Sequence, residues 1–197
     1  MKVAMGLKAH SGWAALVVLG ERDGNLEVLQ RCRLELVADN ATWAKQPYHA
    51  AEGLTPPEAR KMVKAGTEAA RRLALGEMRQ VVRRLSQDVD RVQGCALIVG
   101  DPMPDWSVDQ ILAVHFRMHK AEGVLFREVL AQAVRACNVR LVEVHEKLLL
   151  KRAQATLKIP ATTLSRRVAS LGKSVGPPWG KDQKEATMAA MIAMHES

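Results

Sequence analysis

The sequence predicts an α/β fold with three leading strands, followed by strands that return through helical crossovers. Three observations carry this reading. Apolar runs at 3–7 and 13–19 flank a short polar tip, Lys8-Ala9-His10-Ser11-Gly12. An alternating stretch at 26–37 follows them closely. Two later runs, 92–100 and 139–145, are each preceded by a long segment of helical periodicity.

The first two runs read as strands joined by the polar turn. In the third, Val28, Cys32, Leu34 and Leu36 share a face with Gln30, while Glu27, Arg31, Arg33 and Glu35 lie opposite, as expected for a half-exposed strand. Pro47, Gly53 and Pro56-Pro57 mark a loop with a short helix inside it. Residues 58–89 are helical, with Gly66 and Gly76 as expected bends. The basic residues of that helix are mixed with Glu58, Glu68, Glu77 and Asp88, the mark of a solvated face.

The run Val-Gln-Gly-Cys-Ala-Leu-Ile-Val-Gly at 92–100 is the clearest buried strand, and Asp101-Pro102-Met103-Pro104-Asp105 ends it. Ser107-Val108-Asp109-Gln110 has capping-box spacing and opens a helix expected to reach about residue 137, with an interruption at Gly123. A fifth strand at 139–145 is followed by helices at 146–157 and 162–171, a loop at 172–180 and a final helix at 181–195. Strand–helix–strand units place the later strands as parallel neighbours, because such connections cross over the sheet. We read residues 1–197 as a single domain with a basic helical C-terminal region, 146–197.

Composition narrows the function classes. The chain is 48% apolar and 25% charged, enough apolar material for a substantial core. Its three cysteines, Cys32, Cys95 and Cys137, show no C-x-x-C spacing, which argues against a disulfide framework or zinc ribbon and for free thiols in a reducing compartment. Lys8 and His10 interrupt any signal-peptide core, and no stretch approaches membrane-spanning length, so a cytoplasmic protein is expected, with no membrane partner. Residues 151–184 hold eight lysines and arginines against Asp182 alone, a balance of +7 within a chain total of +8. Such asymmetry predicts a polyanion-facing surface, nucleic acid first, with Lys151, Arg152, Arg166, Arg167, Lys173, Trp179 and Lys181 as contacts.

Gly6-Leu7-Lys8-Ala9-His10-Ser11-Gly12-Trp13, set in this element order, resembles the ribonuclease H-like superfamily, particularly its Holliday-junction-resolvase branch. The resemblance spans nearly the whole chain and implies a mixed five-stranded sheet with extra C-terminal helices. It also implies two divalent ions, Mg²⁺ or Mn²⁺, held by carboxylates of the first strand, the fourth strand and the final helix for phosphodiester hydrolysis. Carried over residue by residue, the ligands would be Asp101, Glu143 and Asp182. Lys8 stands where the first-strand aspartate belongs, with His10 two residues on. A protonated lysine has no lone pair for a cation. A salt bridge from Lys8 to Asp101, Glu143 or Asp182 would replace the metal with a fixed positive charge. The scaffold then serves nucleic-acid binding or processing, with catalysis in question and a homo-oligomer open.

Two other constellations compete. Residues 152–172 are similar to a Fis-type helix-turn-helix, with Thr162, Thr163, Ser165, Arg166 and Arg167 as DNA contacts; Lys158 stands where a residue tolerant of positive φ is usual. His115, His119 and Glu122 follow helical spacing on one side of a helix, a candidate site for a metal or small-anion enzyme, and His49 and Glu52 could join them from the loop.

Overall fold

The computed structural model describes residues 1–88 and 92–196. Five strands form one mixed sheet: β1 (Lys2–His10), β2 (Trp13–Arg22), β3 (Asn25–Glu35), β4 (Val92–Val99) and β5 (Leu141–His145), in the spatial order β3-β2-β1-β4-β5. β1 to β3 are antiparallel neighbours, whereas β4 and β5 run parallel to β1. This is the mixed sheet expected from the order of apolar runs.

Helices cover both faces. α1 (Pro47–Ala50), α2 (Pro56–Asp88), α3 (Val108–Leu112) and α4 (His115–Ala136) precede β5, and α5 (Leu149–Leu157), α6 (Ala161–Val175) and α7 (Lys181–His195) follow it. Val3, Met5 and Leu7 point from β1 into a core shared with α2 and α4. Ala4 points the opposite way, into a core shared with α5, α6 and α7. The period of two along β1 therefore places Lys8 and His10 on the α7 side.

α7 can lie close because its inner face is small. Ala186, Ala189, Ala190 and Ala193 are fully buried. At the contact β1 offers Gly6, where a Cβ would overlap the Ala186 carbonyl and lie 2.7 Å from the Ala190 nitrogen. This near-backbone contact positions the first turn of α7 beside the end of β1.

Four expected details differ. β1 continues past residue 7 to pair His10 with Trp13, where β2 begins as expected, so Lys8 and His10 are strand residues and only Ser11-Gly12 turn, with Gly12 at φ +83°. Along β3 the pairing with β2 shifts between Val18 and Leu19, leaving Leu29 as an extra residue. Leu26 and Val28 therefore face the α7 core, while Cys32 and Leu34 face the α2 core, instead of sharing one side. α2 runs through Gly66 and Gly76 without a break; at Gly66 a Cβ would lie 2.7 Å from Pro47, so that glycine serves close packing. The expected end of this helix, residue 89, lies outside the described residues.

The helix expected at 107–137 is two helices, broken at the extended residue Val114 rather than at Gly123. The capping box at its start is present, with Ser107 and Gln110 bonded reciprocally. Gly123 instead leaves room for Arg127, whose Nε donates to the Gly123 carbonyl at 2.6 Å.

Candidate functional site

Where β1, β4 and β5 end, the chain gathers a set of charged side chains. Lys8, 8% exposed, extends its ammonium toward α7 and the turn after β5. There it donates to Glu146 Oε1 at 2.9 Å and to Glu185 Oε2. Burial opposes the charge on Lys8, but the bonds and charges of Glu185 and Glu146 outweigh it and raise the pKa above the ordinary lysine range. The bond from Lys8 likewise holds the Glu146 carboxyl below the usual carboxylate range, against its partial burial. The arrangement is a two-armed ion pair that joins β1, the turn after β5 and α7.

His10 lies beside this cluster. Its ring stacks on Trp13 with centroids 4.3 Å apart and planes 10° from parallel, and the Arg33 guanidinium lies 4.2 Å from the Trp13 centroid. His10 Nε2 approaches Asp182 Oδ1 to 3.1 Å. It has no hydrogen-bond geometry there.

The three carboxylates expected to hold metal are thus each engaged elsewhere. Asp101 is 61% exposed and accepts from Lys147 Nζ at 2.8 Å and from His145 Nε2 at 2.9 Å. Those two bonds lower its pKa. His145 Nδ1 accepts the Lys147 backbone N–H, which leaves the ring proton on Nε2, facing Asp101. Glu143 faces outward from the edge strand and pairs with Arg135 at 3.0 Å. Only Asp182 stands next to Lys8's neighbourhood, through His10.

The residues that meet Lys8 are Glu146 and Glu185, which the sequence reading missed. Both carried a usable signal. Glu185 follows Asp182 by three positions, so the two share a helix face. Glu146 is the first residue after β5, at the carboxyl end of a parallel strand, where open α/β sheets present their ligand-binding groups.

Beside the cluster a cleft of about 800 Å³ runs along the ends of β4 and β5, with Asp101, Arg127, Glu143 and His145 among its lining residues. Arg127 is held flat against Gly100, where a Cβ would clash with its guanidinium. Burial lowers the Arg127 pKa, and the charges of Glu146 and Asp101 act against that shift.

The basic C-terminal residues divide into two groups. Lys151, Arg166, Arg167, Lys173 and Lys181 are exposed. Arg152 is committed internally: it grips Glu196 through Nε at 2.8 Å and Nη2 at 2.6 Å and donates to the Glu143 carbonyl at 2.7 Å. Trp179 is committed too, its Nε1 donating to the Val168 carbonyl at 3.1 Å and its ring filling the space over Gly172. The expected contact roles of Arg152 and Trp179 therefore give way to structural ones.

In the segment similar to a helix-turn-helix, Lys158 does adopt the left-handed conformation, at φ +53°, between α5 and α6. Leu164, Val168 and Leu171 of α6 are buried in the core that α7 shares with the sheet, so α6 is a covering helix with Arg166 and Arg167 on its outer side. Of the second constellation, His115 and His119 stand on the first turns of α4 with His49 of α1 against them, whereas Glu122 is buried and bonded to His49.

No protein-family model and no curated protein sequence matches this chain. Solved structures do. RuvC from Thermus thermophilus in complex with a Holliday-junction substrate superposes with a TM-score of 0.55 at 8% identity, over 98% of this chain and 92% of that one. A second Thermus thermophilus RuvC structure gives a TM-score of 0.52 at 9% identity, over 96% and 92%. The chain has a ribonuclease H-like fold. No helix among the described residues is long and apolar enough to cross a membrane.

Proposed function

We propose that this chain binds nucleic acid along the carboxyl edge of its sheet, as a binding protein on a ribonuclease H-like scaffold whose first metal position has been taken over by Lys8. The observation that carries this reading is the bond of one buried ammonium to both Glu146 and Glu185. A pair of Mg²⁺ or Mn²⁺ ions at this edge needs oxygen donors that are free to bind them. Here the first-strand donor is a cation, and the two nearest carboxylates are its counter-ions. The residues present fit an ammonium and do not fit the metal pair.

Support for the ligand comes from charge and from the neighbour. The exposed lysines and arginines of α5, α6 and α7 lie in a segment of strongly positive balance, and phosphate contacts of this kind supply most of non-specific affinity. The neighbouring Thermus thermophilus RuvC was solved on a Holliday junction, which makes a branched duplex the first substrate to try.

The test is fluorescence anisotropy with a four-way junction, a duplex and a single strand over a range of salt, paired with Mn²⁺- and Mg²⁺-dependent cleavage assays on the same substrates. Salt-dependent binding without cleavage is expected. Failure to bind any of the three at low salt overturns the binding proposal. Cleavage that is abolished by Asp182→Asn or Glu185→Gln shows instead that the edge is an active nuclease centre.

A further inference from the structure

We propose that His49, His115 and His119 form a zinc-binding site, with Glu122 as the residue that orients His49. The three imidazoles are brought together from α1 and the first two turns of α4. One nitrogen from each lies within 4.8 Å of the others, the one group of three or more metal-ligating side chains among the described residues. His115 and His119 are one helical turn apart, and their Nε2 atoms are 3.2 Å apart. Two ligands on a tetrahedral zinc with Zn–N bonds of about 2.0–2.1 Å stand roughly 3.3 Å apart.

The more telling feature is how His49 is held. Glu122 is 2% exposed and accepts twice from His49, from the backbone N–H at 3.2 Å and from Nδ1 at 2.9 Å. The Nδ1 bond to a carboxylate puts the ring proton on Nδ1 and leaves the Nε2 lone pair free. That Nε2 is buried and has no hydrogen-bond partner. Its ring centroid is 4.5 Å from that of His119 and 5.1 Å from that of His115. A carboxylate on one imidazole nitrogen and a metal on the other is the usual outer-shell arrangement of histidine ligands. An orphaned acceptor in that position is what a bound cation would satisfy.

Donor chemistry selects the ion. Three neutral imidazoles without an oxygen ligand suit zinc and its late first-row neighbours rather than Mg²⁺ or Ca²⁺. His115 and His119 are exposed, so the fourth coordination position faces solvent. Bound zinc would clamp the connection between β3 and α2, which carries His49, onto α4.

Untagged, chelator-stripped protein should be titrated with Zn²⁺ against a chromophoric competitor and with Co²⁺ followed in the visible spectrum. One ion per chain, with the intense bands of tetrahedral cobalt and a raised Tm on zinc addition, is expected. His115→Ala and His119→Ala, both at exposed positions, should each weaken binding at least tenfold with circular dichroism unchanged. Glu122→Gln should weaken it about 10- to 100-fold while His49 still ligates. Absence of stoichiometric zinc binding overturns the proposal. So does zinc affinity unchanged by His49→Ala, which would reduce the site to a histidine pair on one helix.

Discussion

The Lys8 ammonium on β1 is hydrogen-bonded to the Glu185 carboxylate on α7, across a sequence separation of 177 residues. Because Glu146 completes the pair from the turn after β5, Lys8→Met should leave two carboxylates facing each other without the buried ammonium between them, with only the exposed Lys181, 3.6 Å from Glu185, and Arg127 as nearby cations. Breaking a fully buried pair from one side costs about 3–5 kcal/mol. Here Glu146 is half in water, so a loss of about 2 kcal/mol is expected, measured as a lower urea midpoint with an unchanged m-value.

Lys8→Asp should turn the cluster into a cation site. With three acids gathered beside Asp182, thermal stability should fall in chelator and recover on addition of Mn²⁺, a response the unaltered chain should lack at this site. A variant whose Tm ignores Mn²⁺ would show that Glu146 and Glu185 cannot share an ion, against the view that Lys8 occupies a metal position.

The same pair sets a pH dependence with two limbs. The Lys8 pKa is raised above its ordinary 10.5, so its contribution is complete below that value and lost as pH rises through the higher, folded pKa. The Glu146 and Glu196 pKa values are depressed below 4.5, by bonds from Lys8 and Arg152 respectively. Their contribution is present above 4.5 and lost as pH falls through the folded values. Denaturant midpoints recorded against pH should therefore decline at both ends, and Lys8→Met should flatten the alkaline limb.

Salt titrations separate the working from the structural arginines. Arg166→Ala and Arg167→Ala should each reduce the log–log salt slope of nucleic-acid binding by about 1. Arg152→Ala should leave that slope in place and lower Tm instead, because its guanidinium is spent on Glu196 and the Glu143 carbonyl.

Gly6→Ala tests the packing that places the cluster. The added methyl meets backbone atoms of Ala186 and Ala190, which cannot rotate aside, so α7 must move away from β1. A destabilisation of about 3 kcal/mol or more is expected, at the upper end of overpacking costs, together with weaker protection of Lys8. Gly76→Ala, at a helical position open to solvent, should be neutral or stabilising and serves as the comparison.

Local pattern determined much of this protein. The period-two runs, the capping box at Ser107 and the small-residue face of α7 lie within one element each, and each is visible as spacing. They suffice for the mixed sheet, whereas Lys8 became a strand residue, not part of the turn, only through the β1–β2 pairing. Tertiary structure decided the partners. Leu29 is an extra residue only relative to β2, so the switch of faces along β3 appears once the two strands are paired. Asp101, Glu143 and Asp182 were equally plausible neighbours of Lys8 in sequence. Glu146 and Glu185 became its partners because strand register and the Gly6–Ala186 contact bring β5's end and α7's first turn to the same side of β1. His49 was likewise only a loop histidine until α1 folded against α4. Charge–charge partners act through space over a few ångströms, and which charges come that close is a property of the packed layers.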